Sequence, residues 1–345
     1  MKAAPVSRAL ARSGLAEYLV HTGQHYDRAM SEVFFEELDI RQPDLNLHVG
    51  SGSHAVQTAA MLTGLEASMI DRKPDWVLIY GDTNSTLAAA VVAAKLHIPV
   101  AHVEAGLRSF NRRMPEEINR IVADSISTLL FAPTETARKH LLREGVSGEQ
   151  IVLTGDVMFD AMLLFGRRAS EISTIHTRLG LAGQSYVLAT IHRAENTDNP
   201  QRLAVISEAL AQVAEVLPVV LPLHPRTKAR LAEGGLAVNH RVKIIEPVGF
   251  LDMLRLEMDA AIIATDSGGV QKEAFFHQIP CVTLRNETEW VELVDSGWNR
   301  LVPLDSAEAV ARAILAARGT RGMEVSPFGD GRAAENIANR LLRAK

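Results

Sequence analysis

"VLIYGDTNSTLAAAVVAAKL", residues 77–96, begins as a short apolar run and continues as an alanine-rich, helix-forming one. The change falls at Gly81 and Asp82, followed by Thr83, Asn84 and Ser85. Such a stretch predicts strand, tight turn and helix, with a carboxylate at the strand's carboxyl end. In open α/β sheets that end is where ligands bind. Two further acids lie in comparable settings: Glu104 in "PVAHVEAGLRS" and Glu116 in "RMPEEINR". Each has a structural reading. Asp82 would cap the helix after it. Glu104 would pair with Arg108, and Glu116 would favour a helix dipole in the first turn of a helix marked by Ile118, Val122, Ile126 and Leu129. Each also has a chemical one, because carboxylates sharing a rim can have their pKa values driven apart into an acid and a base.

The same unit recurs along the chain. Strand-like runs stand at "EYLVHTG", "DWVLIYGD", "IPVAHVE", "TLLFAPT" and "QIVLTGD", mostly separated by helical patterns. After an amphipathic stretch over 158–180 the alternation restarts at "SYVLATIH", "LPVVLPLHP", "VKIIEPV", "DAAIIATDSGG", "IPCVTL" and "NRLVPL". Two such series predict two doubly wound, Rossmann-like α/β domains with right-handed crossovers, facing a cleft. The expected boundaries are 1–164, joined by a C-terminal helix over 331–345, and 165–330. One feature is unusual: the sequence opens in a helix, with Pro5 near its start, where a doubly wound domain is expected to open with a strand.

Composition narrows the function. At 345 residues, two cores are expected. The formal net charge of -5 and pI near 6.2 give no footprint for nucleic acid or an anionic membrane. No run approaches the roughly 18 apolar residues that span a bilayer. Arg8, Arg12 and Glu17 interrupt any signal-peptide core. Cys281 is the single cysteine, so no disulfide forms within the chain, and a cytoplasmic location is expected.

The second series carries different chemistry. In "IIATDSGGVQKEA", Ser267, Gly268 and Gly269 form a strand-to-helix turn whose small residues let a phosphate approach backbone N–H groups. Glu273 lies one turn on, placed to accept from ribose hydroxyls. "LATIHRAENTDNP" puts His192 and Arg193 at one strand end, and "LPLHPRTK" puts His224 and Arg226 at the next. Cationic groups at two strand ends beside a phosphate cradle suggest diphosphate binding; the histidines alone read equally well as hydrogen-bonded core residues. His21 and His25 have metal-ligand spacing, but Gly23 argues against a helix there, so no metal site is expected.

With "GDTNST", "HVEAGLR", "MPEEINR", "IHRAEN" and "TDSGGVQKEA" in this order, the chain resembles the non-hydrolysing UDP-N-acetylglucosamine 2-epimerases from end to end. The resemblance implies the GT-B architecture, no metal or other cofactor, a UDP-sugar partner and a homodimer. It implies that an enzyme base removes the C2 proton while UDP leaves C1, and that the resulting 2-acetamidoglucal is reprotonated on its other face and UDP re-added. By motif match, Asp82, Glu104 and Glu116 are the acid/base candidates and His192 assists the diphosphate. Ser267, Gly268 and Gly269 hold phosphate, Glu273 holds ribose, and Lys2 and Arg193 contribute cations.

Two departures matter. The family opens with a strand and a Gly-x-Arg-Pro loop. This chain begins just after it, Lys2 matching the loop's final lysine, so the chain is expected to be poorly soluble or inactive until that segment is added. Where common members read Thr-Glu-Arg-Pro-Glu, this chain reads "TEWVEL", so Trp290 replaces an arginine that contacts the nucleotide. That wording resembles the branch acting on UDP-2,3-diacetamido-2,3-dideoxyglucuronic acid; "HTGQHYD", with Gln24 retained but Asp27 following, departs from members activated allosterically by substrate. From another class, a GT-B glycosyltransferase shares the fold and nucleotide site but has less need of three acids on the opposite rim.

Overall fold

In the computed structural model, residues 1–23, 41–223 and 241–344 are described. They divide into two compact units, Met1–Leu164 with Ser326–Lys345, and Phe165–Val325.

In the first unit, α1 (Ala3–Arg12) precedes β1 (Val20–His21), β2 (Leu45–Asn46) and α2 (His54–Arg72). Then β3 (Val77–Tyr80), α3 (Asn84–Lys95), β4 (Val100–Val103), α4 (Pro115–Ile126), β5 (Leu129–Ala132), α5 (Glu135–Arg143) and β6 (Ile151–Leu153) alternate. Strands β3 to β6 form a parallel sheet in sequence order, with Ile79 opposite His102 and Val103 opposite Phe131. "VAHV" and "LLFA" are buried at every position, as strands covered on both faces must be. One face packs on Val6, Ala9 and Leu10 of α1 and on Ile337, Ala338 and Leu341 of the C-terminal helix, Ala333–Leu342. The other packs on Met61, Leu65 and Met69 of α2 and on Ala88, Val92 and Ala93 of α3. Asp160 ties the returning segment down: its carboxylate accepts from the N–H groups of Ala333 (3.1 Å) and Ala334 (2.9 Å), which begin that last helix.

Two expectations are corrected or sharpened here. Leu129 opens β5 and does not belong to the helix before it, and Ile118 points outward; α4 instead buries Glu117, Asn119, Ala123 and Asp124. Apolar spacing misplaced the inner face because that face binds polar loops. Strands β1 and β3 are not paired: β1 pairs with β2 in a separate parallel sheet, and β3 is an edge of the four-stranded one.

In the second unit, α6 (Val157–Ile172), which enters from the first, and α7 (Ile175–Leu179) precede β7 (Val187–Thr190). Strands β8 (Val219–Pro222), β9 (Val242–Ile245), β10 (Ile262–Thr265), β11 (Cys281–Thr283) and β12 (Asn299–Leu301) follow. All are parallel, ordered β12-β11-β10-β7-β8-β9. This is the doubly wound order, and its reversal lies between β7 and β10, where Thr190 and Thr265 share a hydrogen bond of 2.6 Å. Among the described residues, no helix is long and apolar enough to cross a membrane.

Candidate active site

In the first unit the three acids follow adjacent elements. Asp82 ends the β3 turn but does not cap α3. Thr83 is the N-cap, in a reciprocal capping box with Thr86, which leaves the Asp82 carboxylate for other partners. Arg120 Nη1 of α4 lies 2.5 Å from Asp82 Oδ2, and Asn119 Nδ2 donates to the Asp82 carbonyl at 2.9 Å. Burial raises the Asp82 pKa. Arg120 and Lys2 oppose that shift, and the charges of Glu104 and Glu116 add to it. Asp82, Glu104, Glu116, Lys2 and Arg120 thus share one electrostatic neighbourhood.

Glu104 follows β4 with φ of 71°, a left-handed conformation unfavourable for a residue with a side chain. It is buried, and its Oε2 receives the Lys2 ammonium. Arg108 is not its partner. That guanidinium binds Asp124 at 2.7 Å and Glu144 through two bonds of 2.7 and 2.6 Å. Glu116 is exposed at the first turn of α4. Its neighbour Glu117 is the structural acid, accepting from the N–H groups of Ser109 (3.0 Å) and Phe110 (2.9 Å) and from Arg120 (2.7 Å). Burial opposes the Glu117 charge, but the Ser109 and Arg120 hydrogen bonds outweigh it and hold its carboxyl below the usual range. Gly106, with φ of 81°, is required by close approach: a Cβ there would lie 2.4 Å from the Ala137 carbonyl oxygen.

In the second unit the site surrounds the reversal between β7 and β10. Asp266, fully buried, accepts from the backbone N–H groups of His192 (3.1 Å) and Arg193 (3.2 Å) and from Asn196 Nδ2 (3.1 Å). Its Oδ1 also lies 3.1 Å from His192 Nδ1, on a ring whose far side is open to solvent. Burial works against the Asp266 charge, yet the hydrogen bonds from His192 and Asn196 hold its carboxyl below the usual range. Ser267 caps α11 (Gly268–Phe276), accepting from Val270 N; among the described residues the helices between are α8 (Ala194–Thr197), α9 (Pro200–Val213) and α10 (Phe250–Met258). The Glu289 carboxylate lies against the α11 N-terminus: a Cβ on Gly268 would come 2.1 Å from its Oε1. Arg285 and Arg193 flank that carboxylate at 3.1 and 3.6 Å. Glu273, one turn into α11, meets buried Glu257 of α10; burial and then the neighbouring Glu273 hold the Glu257 carboxyl well above its usual range, and burial raises that of Glu273 as well.

Sequence reading missed His102, Asp124, Arg120, Asp266, Arg285, Glu257 and Glu289. Only Asp266, at a strand end beside Ser267, carried a positional signal. His224, Arg226, Gln24, His25 and Asp27 lie outside the described residues.

The chain as a whole is similar to known proteins. A family profile described as UDP-N-acetylglucosamine 2-epimerase matches residues 8–342. The UDP-2,3-diacetamido-2,3-dideoxy-D-glucuronate 2-epimerase of Pseudomonas aeruginosa is 49% identical, over 99% of this chain and 96% of its own. The UDP-N-acetylglucosamine 2-epimerase of Methanocaldococcus jannaschii is 44% identical over 100% and 96%. Its crystal structure with UDP-GlcNAc and UDP matches this fold with a TM-score of 0.88 at 44% identity, covering 100% of this chain and 96% of that one. The Neisseria meningitidis enzyme bound to UDP-GlcNAc matches with a TM-score of 0.87 at 29% identity, over 99% and 96%. With the family profile covering nearly its whole length, this chain belongs to the UDP-N-acetylglucosamine 2-epimerase family.

Proposed function

We propose that the chain interconverts UDP-N-acetylglucosamine and UDP-N-acetylmannosamine without hydrolysis. The observation that carries this reading is the acid cluster of the first unit, where an Asp82 carboxyl of raised pKa is surrounded by Glu104, Glu116, Lys2 and Arg120. A carboxylate so tuned accepts a proton near neutrality more readily than an ordinary aspartate. One acid takes the C2 proton, the C1–O bond breaks with its electron pair leaving on UDP, and a C1=C2 double bond forms. A second acid returns a proton to the other face of C2, and the UDP oxygen re-adds to C1. Atoms and charge balance, so no cofactor is consumed. In the second unit, Ser267, Gly268 and Gly269, with His192, Arg193 and Arg285, hold the diphosphate, and Glu273 holds the ribose. Retaining UDP and glucal together is as necessary as the proton transfers, since escape of either ends the cycle. The reading extends to a cytoplasmic homodimer making precursors of cell-surface polysaccharides.

A second reading, epimerisation of UDP-2,3-diacetamido-2,3-dideoxyglucuronic acid, is favoured by Trp290 and by the 49% identity to an enzyme of that name. Trp290 is buried, and the Lys272 ammonium lies 4.3 Å from its ring centre, so a cation is present at this position through a different residue. Comparing kcat/KM for the two sugars decides between them. The first reading expects UDP-N-acetylglucosamine to be preferred; a preference of about a hundredfold or more for the uronate, worth roughly 2.7 kcal/mol, reverses it.

A further inference from the structure

His102, on β4, is fully buried, and both its ring nitrogens are engaged. Nε2 lies 2.7 Å from the Gly81 carbonyl oxygen and Nδ1 lies 2.6 Å from Asp124 Oδ1. A backbone carbonyl only accepts, and so does an ionised carboxylate. Asp124 Oδ2 in turn accepts from Gly106 N at 3.0 Å and from Arg108 Nη1 at 2.7 Å, and these contacts keep the carboxyl ionised. A neutral imidazole has one N–H and one lone pair, and would aim that lone pair at one of its two acceptors.

The three segments joined at this ring are those that carry the acids. Gly81 precedes Asp82, Gly106 follows Glu104 by two residues, and Asp124 lies on α4, whose first turn holds Glu116. Resting on the functional reading above, the geometry points to His102 as a positioning residue. Held as an imidazolium between Gly81 and Asp124, it fixes the β3 turn against α4 and so sets the direction of the Asp82 carboxylate. It touches no reacting atom. The charged groups around it are Asp124 from α4, Arg108 from the loop after β4, and Glu144 beyond Arg108.

The test uses the full chain with ¹⁵N-labelled histidine, its His102 ring signals assigned by through-bond correlation to the His102 backbone. Both ring nitrogens are expected to resonate as protonated N–H groups at neutral pH, with kcat for the epimerisation in His102→Gln lowered about tenfold to a hundredfold. KM and the affinity for UDP, measured by calorimetry, are expected to stay within about threefold. A neutral single tautomer in the wild-type chain overturns the inference, including where the variant does not fold. So does a folded variant with wild-type kcat, or one whose UDP affinity falls in step with kcat. A wild-type chain that turns over no UDP-sugar, even with the upstream strand and Gly-x-Arg-Pro loop added, instead removes the functional reading, a result the other arms do not produce.

Discussion

The guanidinium of Arg120 lies 2.5 Å from the Asp82 carboxylate and 2.7 Å from that of Glu117, so one cation serves the acid proposed to move protons and a structural one. Its charge restrains the rise in Asp82 pKa that burial imposes, and Glu104 works the other way. Arg120→Gln should therefore move the Asp82-governed limb of the kcat/KM profile to higher pH, and Glu104→Gln should move it to lower pH in whatever activity remains. Shifts of the same sign in both variants would remove Asp82 from that limb.

Asp124 pairs with buried Arg108 and accepts from the ring of buried His102, so replacing it leaves His102 without that carboxylate and Arg108 with Glu144 alone. Burial disfavours its charge, but His102 and Arg108 outweigh burial and depress its pKa. A depressed carboxylate contributes stability above its unfolded value, about 3.9, and that contribution is lost as pH falls through the folded value. Asp124→Asn should cost about 3–5 kcal/mol in urea unfolding at neutral pH. The gap to wild type should narrow as the solution is made acidic. A gap that widens on acidification would contradict the assignment.

Gly268 faces a different constraint. A methyl there meets the end of the flexible Glu289 side chain, 2.1 Å away, and no rigid backbone. Gly268→Ala should fold with a nearly unchanged melting temperature, yet weaken UDP binding roughly tenfold or more by blocking close approach to the α11 N-terminus. Calorimetry with UDP alone reads this directly. Unchanged affinity would place the diphosphate elsewhere.

The strands were legible because parallel sheets covered on both faces need continuous apolar runs, and "VAHV", "LLFA" and "IIAT" have them. Asp82, Glu104 and Ser267 were legible because they stand where such runs end. The inner face of α4 was not. Its buried positions include Glu117, Asn119 and Asp124, held by the preceding loop at Gly106, Ser109 and Phe110 and by the turn at Asp82, and no helical period reports that. His102 was hidden for the same reason: inside an apolar strand it reads as core, and only the fold brings Gly81 and Asp124 to its two nitrogens. The structural reading of Glu104 paired it with Arg108, close in sequence, whereas the ammonium it meets is that of distant Lys2.

Proton exchange at C2 is the measurement closest to the central claim. With the full chain and UDP-N-acetylglucosamine in heavy water, each epimerised product should carry solvent deuterium at C2. Asp82→Asn, Glu104→Gln and Glu116→Gln should each lower both exchange and turnover by roughly a hundredfold or more. Product formed with its original C2 hydrogen retained would contradict the account.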